Sequence, residues 1–168
     1  MFKVEAETRR AAPLDANQIF DVYKTSWLNA YAGILPYKAL TRMINRRDSK
    51  WWASAINKTA VILVMEFGDQ VVGYATIGPN RVNSFAAEGE IYELYIKPEY
   101  QGLGLGRKLF KSAQKELKRR GYKGSVVWVL SDNNQGVRFY HGAGGTAVAI
   151  GTETFDDVTL EKTAFHWN

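Results

Sequence analysis

Cysteine is absent from all 168 residues. That excludes disulfides, thiolate metal sites and cysteine nucleophiles together, and it fits a cytoplasmic chain. Histidine is scarce. His141 and His166 are the two present, and neither has partners at metal-ligand spacing, so no metal site is expected. No apolar run approaches the length of a membrane span, so no membrane partner is expected. The start, MFKVEAETRRAAP, lacks the basic-then-apolar layout of a signal peptide. Internal repeats, low-complexity tracts and Pro/Gly/Ser linkers are also missing, so residues 1–168 are expected to form a single domain.

Apolar residues make up 46% of the chain and aromatics 13%, enough for a packed core. The net charge is +5, which favours anionic partners. Nucleic acid and a polyphosphate cofactor are the two candidates. Positive charge peaks in GRKLFKSAQKELKRRGYK, but there it alternates with an apolar stripe and has no aromatic stacking pattern beside it. That reads as the solvated face of a helix and makes nucleic acid the weaker candidate.

FKVEAETRRA alternates as a first strand. A helix opens near Asp15, with Gln18 placed for a capping box and Leu14 and Ile19 for a hydrophobic staple. Gly33 and Pro36 end it, and a second helical stretch runs from Tyr37 to Ile56 with an interruption near Asp48. AVILVMEFGDQVVGYATIG predicts a hairpin turning at Gly68-Asp69-Gln70, and GEIYELYIKP another strand. Gly104 to Arg120 predicts a helix with Leu105, Leu109, Phe110, Ala113 and Leu117 inward and Gly121 just past its end. SVVWVL is a buried strand. Asp132 and Gln135 offer a capping box for a short helix through Tyr140. TAVAIG and TFDDVTLEKTAFHW close the chain as strands. This order predicts an α+β (mixed α/β) fold with a parallel strand–helix–strand crossover around residues 90 to 130.

YQGLGLGRKLF joins that strand to the long helix. A glycine-rich loop opening a helix suits phosphate, because backbone N–H groups and the helix dipole point at the ligand. The dinucleotide spacing G-x-G-x-x-G fails, since Arg107 or Leu109 stands where the third glycine should be. The P-loop pattern fails too, with Arg107, Lys108 and Leu109 following Gly102 at the wrong places.

Gln101-Gly102-Leu103-Gly104-Leu105-Gly106 does match Gln/Arg-x-x-Gly-x-Gly/Ala. With LYIKPEY before it and NNQGVRFYHGAGG after the next strand, the chain resembles the GNAT-type N-acetyltransferase superfamily from about Glu88 to Gly145. Gly136 stands where the family usually has alanine. The resemblance implies a central mixed twisted sheet of about six or seven strands flanked by about four helices. It implies acetyl-CoA as co-substrate and transfer of its acetyl group to a primary amine of a small molecule or peptide. A homodimer is compatible with the family.

Residue by residue, the resemblance implies pyrophosphate binding by the backbone of Gln101, Gly102, Leu103, Gly104, Leu105, Gly106 and Arg107. It implies oxyanion stabilisation by a backbone N–H of Tyr95 or Ile96, beside a splay in the sheet. Tyr140 is the expected general acid, a phenol that stays protonated at neutral pH. Asn133 binds the pantetheine arm or caps its helix. Glu93 is the candidate general base, directly or through a water; the competing reading pairs it with a lysine or arginine. By alternation Glu90 faces away from Glu93 unless a bulge resets the register. Trp27, Tyr31, Tyr37, Trp51 and Trp52 are numerous enough to line an acceptor pocket, and Glu88, Glu90 and Glu93 lean toward a cationic acceptor. A non-catalytic acyl-CoA sensor on the same fold is the alternative.

Overall fold

The computed structural model describes residues 4–58, 61–82 and 86–168. Its strands are β1 (Ala6–Arg10), β2 (Val61–Phe67), β3 (Gln70–Pro79), β4 (Gly89–Ile96), β5 (Ser125–Leu130), β6 (Thr146–Phe155) and β7 (Val158–Trp167). The helices are α1 (Ala16–Tyr31), α2 (Tyr37–Arg46), α3 (Ser49–Ile56), α4 (Leu105–Arg119) and α5 (Asn134–Gly142). All strands join one seven-stranded sheet in the order β1-β2-β3-β4-β5-β7-β6. Every neighbour is antiparallel except β4 and β5, which α4 links as a parallel crossover.

Burial follows the pleat. Val61, Leu63 and Met65 of β2 face α4 and α5, while Ile62 and Val64 face the α1–α3 layer. A strand covered on both faces needs no polar side, and five consecutive residues of β2 are buried. The α4 stripe Leu105, Leu109, Phe110, Ala113 and Leu117 is buried as its spacing predicts. Gly121 follows the helix at φ 91°, and the Tyr122 N–H reaches back to the Leu117 carbonyl.

The stretch from Tyr37 to Ile56 divides near Asp48 as expected, so the described residues form five α-helices. Asp48 caps the second piece, accepting from the Trp51 N–H at 2.9 Å. Asp15 does not cap α1 with its side chain. Arg9 claims both its oxygens at 2.7 and 2.9 Å, and the Ala12 N–H donates to it. Gln18 accepts from the Val71 N–H instead, and Leu14 is 94% exposed, so neither box nor staple forms. Asn133, not Asp132, caps α5. The last turn falls at Asp156-Asp157, so TFDDV spans the end of β6 and the start of β7; Asp156 sits at φ 55° and takes ion pairs from Arg42 and Arg46. Phe2, Lys3 and Ala60 of the expected strands lie outside the described residues.

Candidate active site

Strands β4 and β5 pair only at Gly89↔Ser125, Glu90↔Val126 and Ile91↔Val127. At that point β4 bulges. Thr76 of β3 opposes Glu93 and Ile77 opposes Ile91, so Tyr92 has no partner across β3. Past the bulge the pairing with β5 is lost, and a cavity of about 560 Å³ opens between the strands. The Lys97 N–H donates to the Val72 carbonyl at 2.8 Å. Alternation along β4 then turns the Tyr95 amide toward β3 and the Leu94 and Ile96 amides toward the gap. Of the two oxyanion candidates, Ile96 has its N–H on the cavity side, whereas Tyr95 lines the cavity with its phenol. The Ile96 carbonyl accepts from Gln101 Nε2 at 3.1 Å, which ties the glycine loop to this strand edge.

Gln101, Gly102 and Gly106 of the glycine loop line one end of the cavity. Gly102 and Gly104 take φ of 81° and 80°, a region that penalises any side chain, and a Cβ there would meet nothing within 4 Å. The loop is therefore shaped by its backbone and leaves open space above it. Gly104 precedes α4 with no side-chain cap, so the amides of the first helical turn are not taken by a capping group. Leu103 is exposed and Leu105 is core, so either could serve a ligand only through its backbone. Gly106 lets α5 close in, since a Cβ would lie 3.2 Å from Phe139. The Arg107 side chain donates to the Gly142 carbonyl at 2.9 Å, and Gln135 donates to Gln101 at 2.6 Å. Asn133 accepts from the Gly136 N–H at 3.1 Å, which makes it a helix cap on the cavity wall. Gly136 has a steric reason: a Cβ would come within 2.9 Å of both Val129 and Asn133.

Tyr140 reaches the cavity from α5. Its ring packs among Phe110, Phe139, Phe165 and Trp167, with centroids 5.2 to 6.1 Å away. Among the described residues its hydroxyl has no hydrogen-bond partner. Burial pushes its pKa upward, and the nearby Tyr31 adds to the shift. Tyr31 and Tyr95 share a hydrogen bond of 2.8 Å between their hydroxyls. Burial holds the Tyr31 phenol up at about 12.

The other end is made of side chains. Glu93 is largely buried; Arg47 donates to its Oε1, and the Tyr74 hydroxyl donates to Oε2 at 2.5 Å. The competing reading of Glu93, pairing with a cation, is thus what the structure contains. The Arg47 guanidinium stacks over Trp51, 4.6 Å from the ring centroid. Trp27, Tyr31, Trp51 and Trp52 line this end, while Tyr37 lies outside the lining at 76% exposure.

The bulge also resets the register. Ile91 and Leu94 both pack on the α4 side, three residues apart, so Glu90 and Glu93 share the opposite face. The three carboxylates do not form an acidic cluster. Glu90 is held by Arg81 at 2.8 Å, Glu93 by Arg47, and Glu88 accepts from the Lys123 N–H at 2.9 Å. Sequence reasoning missed Arg47 and the Tyr31–Tyr95 pair. Arg47 lies 46 positions from Glu93, and no local pattern signals the contact.

The sequence pattern of the acetyltransferase (GNAT) family matches residues 18–144. An uncharacterised N-acetyltransferase of Bacillus subtilis is 28% identical over 159 residues, covering 95% of this chain and 91% of the relative. A spermidine N(1)-acetyltransferase of Thermoplasma acidophilum is 26% identical over 142 residues, covering 80% of this chain and 84% of the relative. Among solved structures, the PaiA N-acetyltransferase of Thermoplasma acidophilum in complex with coenzyme A superposes with a TM-score of 0.76 at 20% identity, covering 96% of this chain and 98% of that one. The chain belongs to the GNAT acetyltransferase family and is an acyltransferase.

Proposed function

We propose that this chain transfers the acetyl group of acetyl-CoA to a primary amine of a small molecule or peptide by direct attack, as one domain over residues 1–168 of a cytoplasmic protein. The observation that carries this reading is the gap between β4 and β5, with the glycine loop at one end and beside it the Tyr140 hydroxyl, unpartnered among the described residues. The coenzyme A bound to the PaiA relative supports the choice of co-substrate.

Acetyl-CoA supplies an acyl carbon activated as a thioester and a thiolate leaving group. The amides of the loop from Gln101 to Arg107 bind its pyrophosphate, helped by the dipole of α4. Asn133 flanks the pantetheine arm while it caps α5. The Ile96 N–H, turned into the gap, donates to the carbonyl oxygen as charge builds there during attack by the amine nitrogen. As the C–N bond forms and the C–S bond breaks, Tyr140 gives its phenolic proton to the departing sulfur. Its raised pKa keeps that proton in place until the sulfur gains charge.

Glu93 takes the amine's proton, directly or through a water. Each carboxylate oxygen accepts more than one hydrogen bond, so its contacts with Arg47 and Tyr74 leave capacity for a further donor. Tyr95 borders the reacting amine with its phenol, hydrogen-bonded to Tyr31.

The test is thiol release from acetyl-CoA across a panel of amino acids, polyamines and peptides, with the acetylated product identified by mass. Amine-dependent release with a product heavier by one acetyl group is expected. Saturable acetyl-CoA binding with no release to any amine would contradict the proposal and leave a sensor.

A further inference from the structure

Arg47 brings unused donors to the acceptor end of the cavity. Arg47 has five N–H donors, and among the described residues only Nη1 is used, toward Glu93. The guanidinium is held by Glu93 on one side and by the Trp51 ring under it, so its unused edge is fixed in place. The free Arg47 N–H groups favour a ligand that brings acceptor oxygens.

Charge points the same way. Of the lining ions, Arg47 pairs with Glu93 and Arg81 with Glu90, which leaves Glu153 and Lys162 outside those pairs. A polyamine, with several ammonium groups, would find a single lining carboxylate, Glu153, outside those pairs. A carboxylate would meet the planar fork of Arg47, whose geometry matches it in two parallel hydrogen bonds. Because Arg47 touches Glu93, and Glu93 precedes the gap-facing Leu94, an amine on the carbon next to that carboxylate would lie beside both Glu93 and the gap. The remaining wall, from Trp27, Tyr31, Trp51 and Phe155, is aromatic and suits an apolar side chain.

We infer that the acceptor is an α-amino acid with an apolar or aromatic side chain, and that Arg47 grips its carboxylate. This rests on the acetyltransferase reading above and narrows it, choosing an amino acid over a polyamine and assigning Arg47 as the residue that sets the choice.

The experiment is calorimetric titration of the coenzyme A-loaded protein with L-phenylalanine, L-leucine and L-methionine, with their carboxamides, and with spermidine. A carboxamide keeps the amine and side chain but loses the charged oxygens. At least one acid should bind about tenfold tighter than its carboxamide and than spermidine, the effect of a charge-assisted pair. Arg47→Gln should bring that acid within about twofold of its amide, with Arg47→Lys between, since lysine keeps the charge without the fork.

Equal or tighter binding of the carboxamides or of spermidine would overturn the inference. So would an Arg47→Gln loss shared equally by acid and amide, or no saturable binding of any acid. The wild-type comparison stands even if a variant folds poorly. Thiol release in matched acetyl-CoA samples separates the two claims. Carboxylate-dependent binding without release would sink acetyl transfer and leave the Arg47 assignment. Release to spermidine or to amides alone would sink the assignment and leave acetyl transfer.

Discussion

At the α4 end of the cavity the proposed ligand groups are backbone amides on a contiguous loop, Gln101 to Arg107, of which Gln101, Gly102 and Gly106 line the cavity. At the α1–α3 end they are side chains drawn from separate elements: Trp27 from α1, Arg47 from the turn after α2, Trp51 and Trp52 from α3, Glu93 from β4. A backbone site needs particular φ values and a helix start, and glycine spacing advertises both. A side-chain site needs only that the right atoms meet, which any scatter of positions along the chain can achieve. The first kind tolerates changes in side-chain identity but not in backbone shape; the second behaves in the opposite way. The proposed reacting groups, Ile96 and Tyr140, sit where the two kinds join.

That contrast can be broken or sharpened by substitution. The largest effect is expected at the junction. Tyr140→Phe should lower kcat by roughly 10²- to 10³-fold, the usual worth of a positioned acid. Because the hydroxyl has no protein partner among the described residues, the unfolding midpoint and acetyl-CoA affinity should hold. Burial raises this phenol, so it stays protonated as pH climbs, and no alkaline fall in the wild-type rate should arise from it below about pH 10. A variant with undiminished turnover would remove Tyr140 from the chemistry.

Next comes Glu93→Gln, expected to lower kcat by roughly 10²-fold with little change in acetyl-CoA affinity. Unchanged kcat with a lowered melting point would make Glu93 purely a partner for Arg47. At the backbone end, Gly104→Val should cost ~2 kcal/mol to hold φ at 80°, weakening acetyl-CoA by about thirtyfold while sparing acceptor affinity. Equal losses for both ligands would blur the distinction between the two ends.

The smallest effect is expected at Gly136→Ala. Helix propensity alone would favour alanine by about 1 kcal/mol. The new Cβ, however, would press on Val129 and Asn133 at 2.9 Å, and overpacking costs roughly 1–3 kcal/mol. The midpoint in thermal unfolding should therefore fall by a few degrees or stay level; a rise would mean that the cap and β5 yield freely.

The same contrast explains what was legible beforehand. The α4 stripe, the glycine loop, the hairpin of β2 and β3 and the parallel crossover are local or periodic, and they stand where the sequence placed them. The splay between β4 and β5 came with the family resemblance and not from any spacing. Asp15 looked like a cap because its neighbours fit the pattern, but Arg9, six positions away, outcompeted the helix for its oxygens. Strict alternation would have turned Glu90 and Glu93 to opposite faces, until the bulge at Tyr92 added one residue to β4. The pairing of Arg47 with Glu93 left no trace in either local stretch, because its cause is the packing of the helical layer on the sheet.

The central claim is that the gap and its glycine loop bind an acyl-CoA. Thermal unfolding with excess acetyl-CoA, and with NAD and ATP in parallel, tests it most directly. At a hundredfold excess over its dissociation constant, a ligand that binds only the native state adds about 2.7 kcal/mol. A rise in the midpoint of roughly 5 to 10 °C with acetyl-CoA alone is the result expected. No rise with acetyl-CoA, or an equal rise with all three, would contradict it.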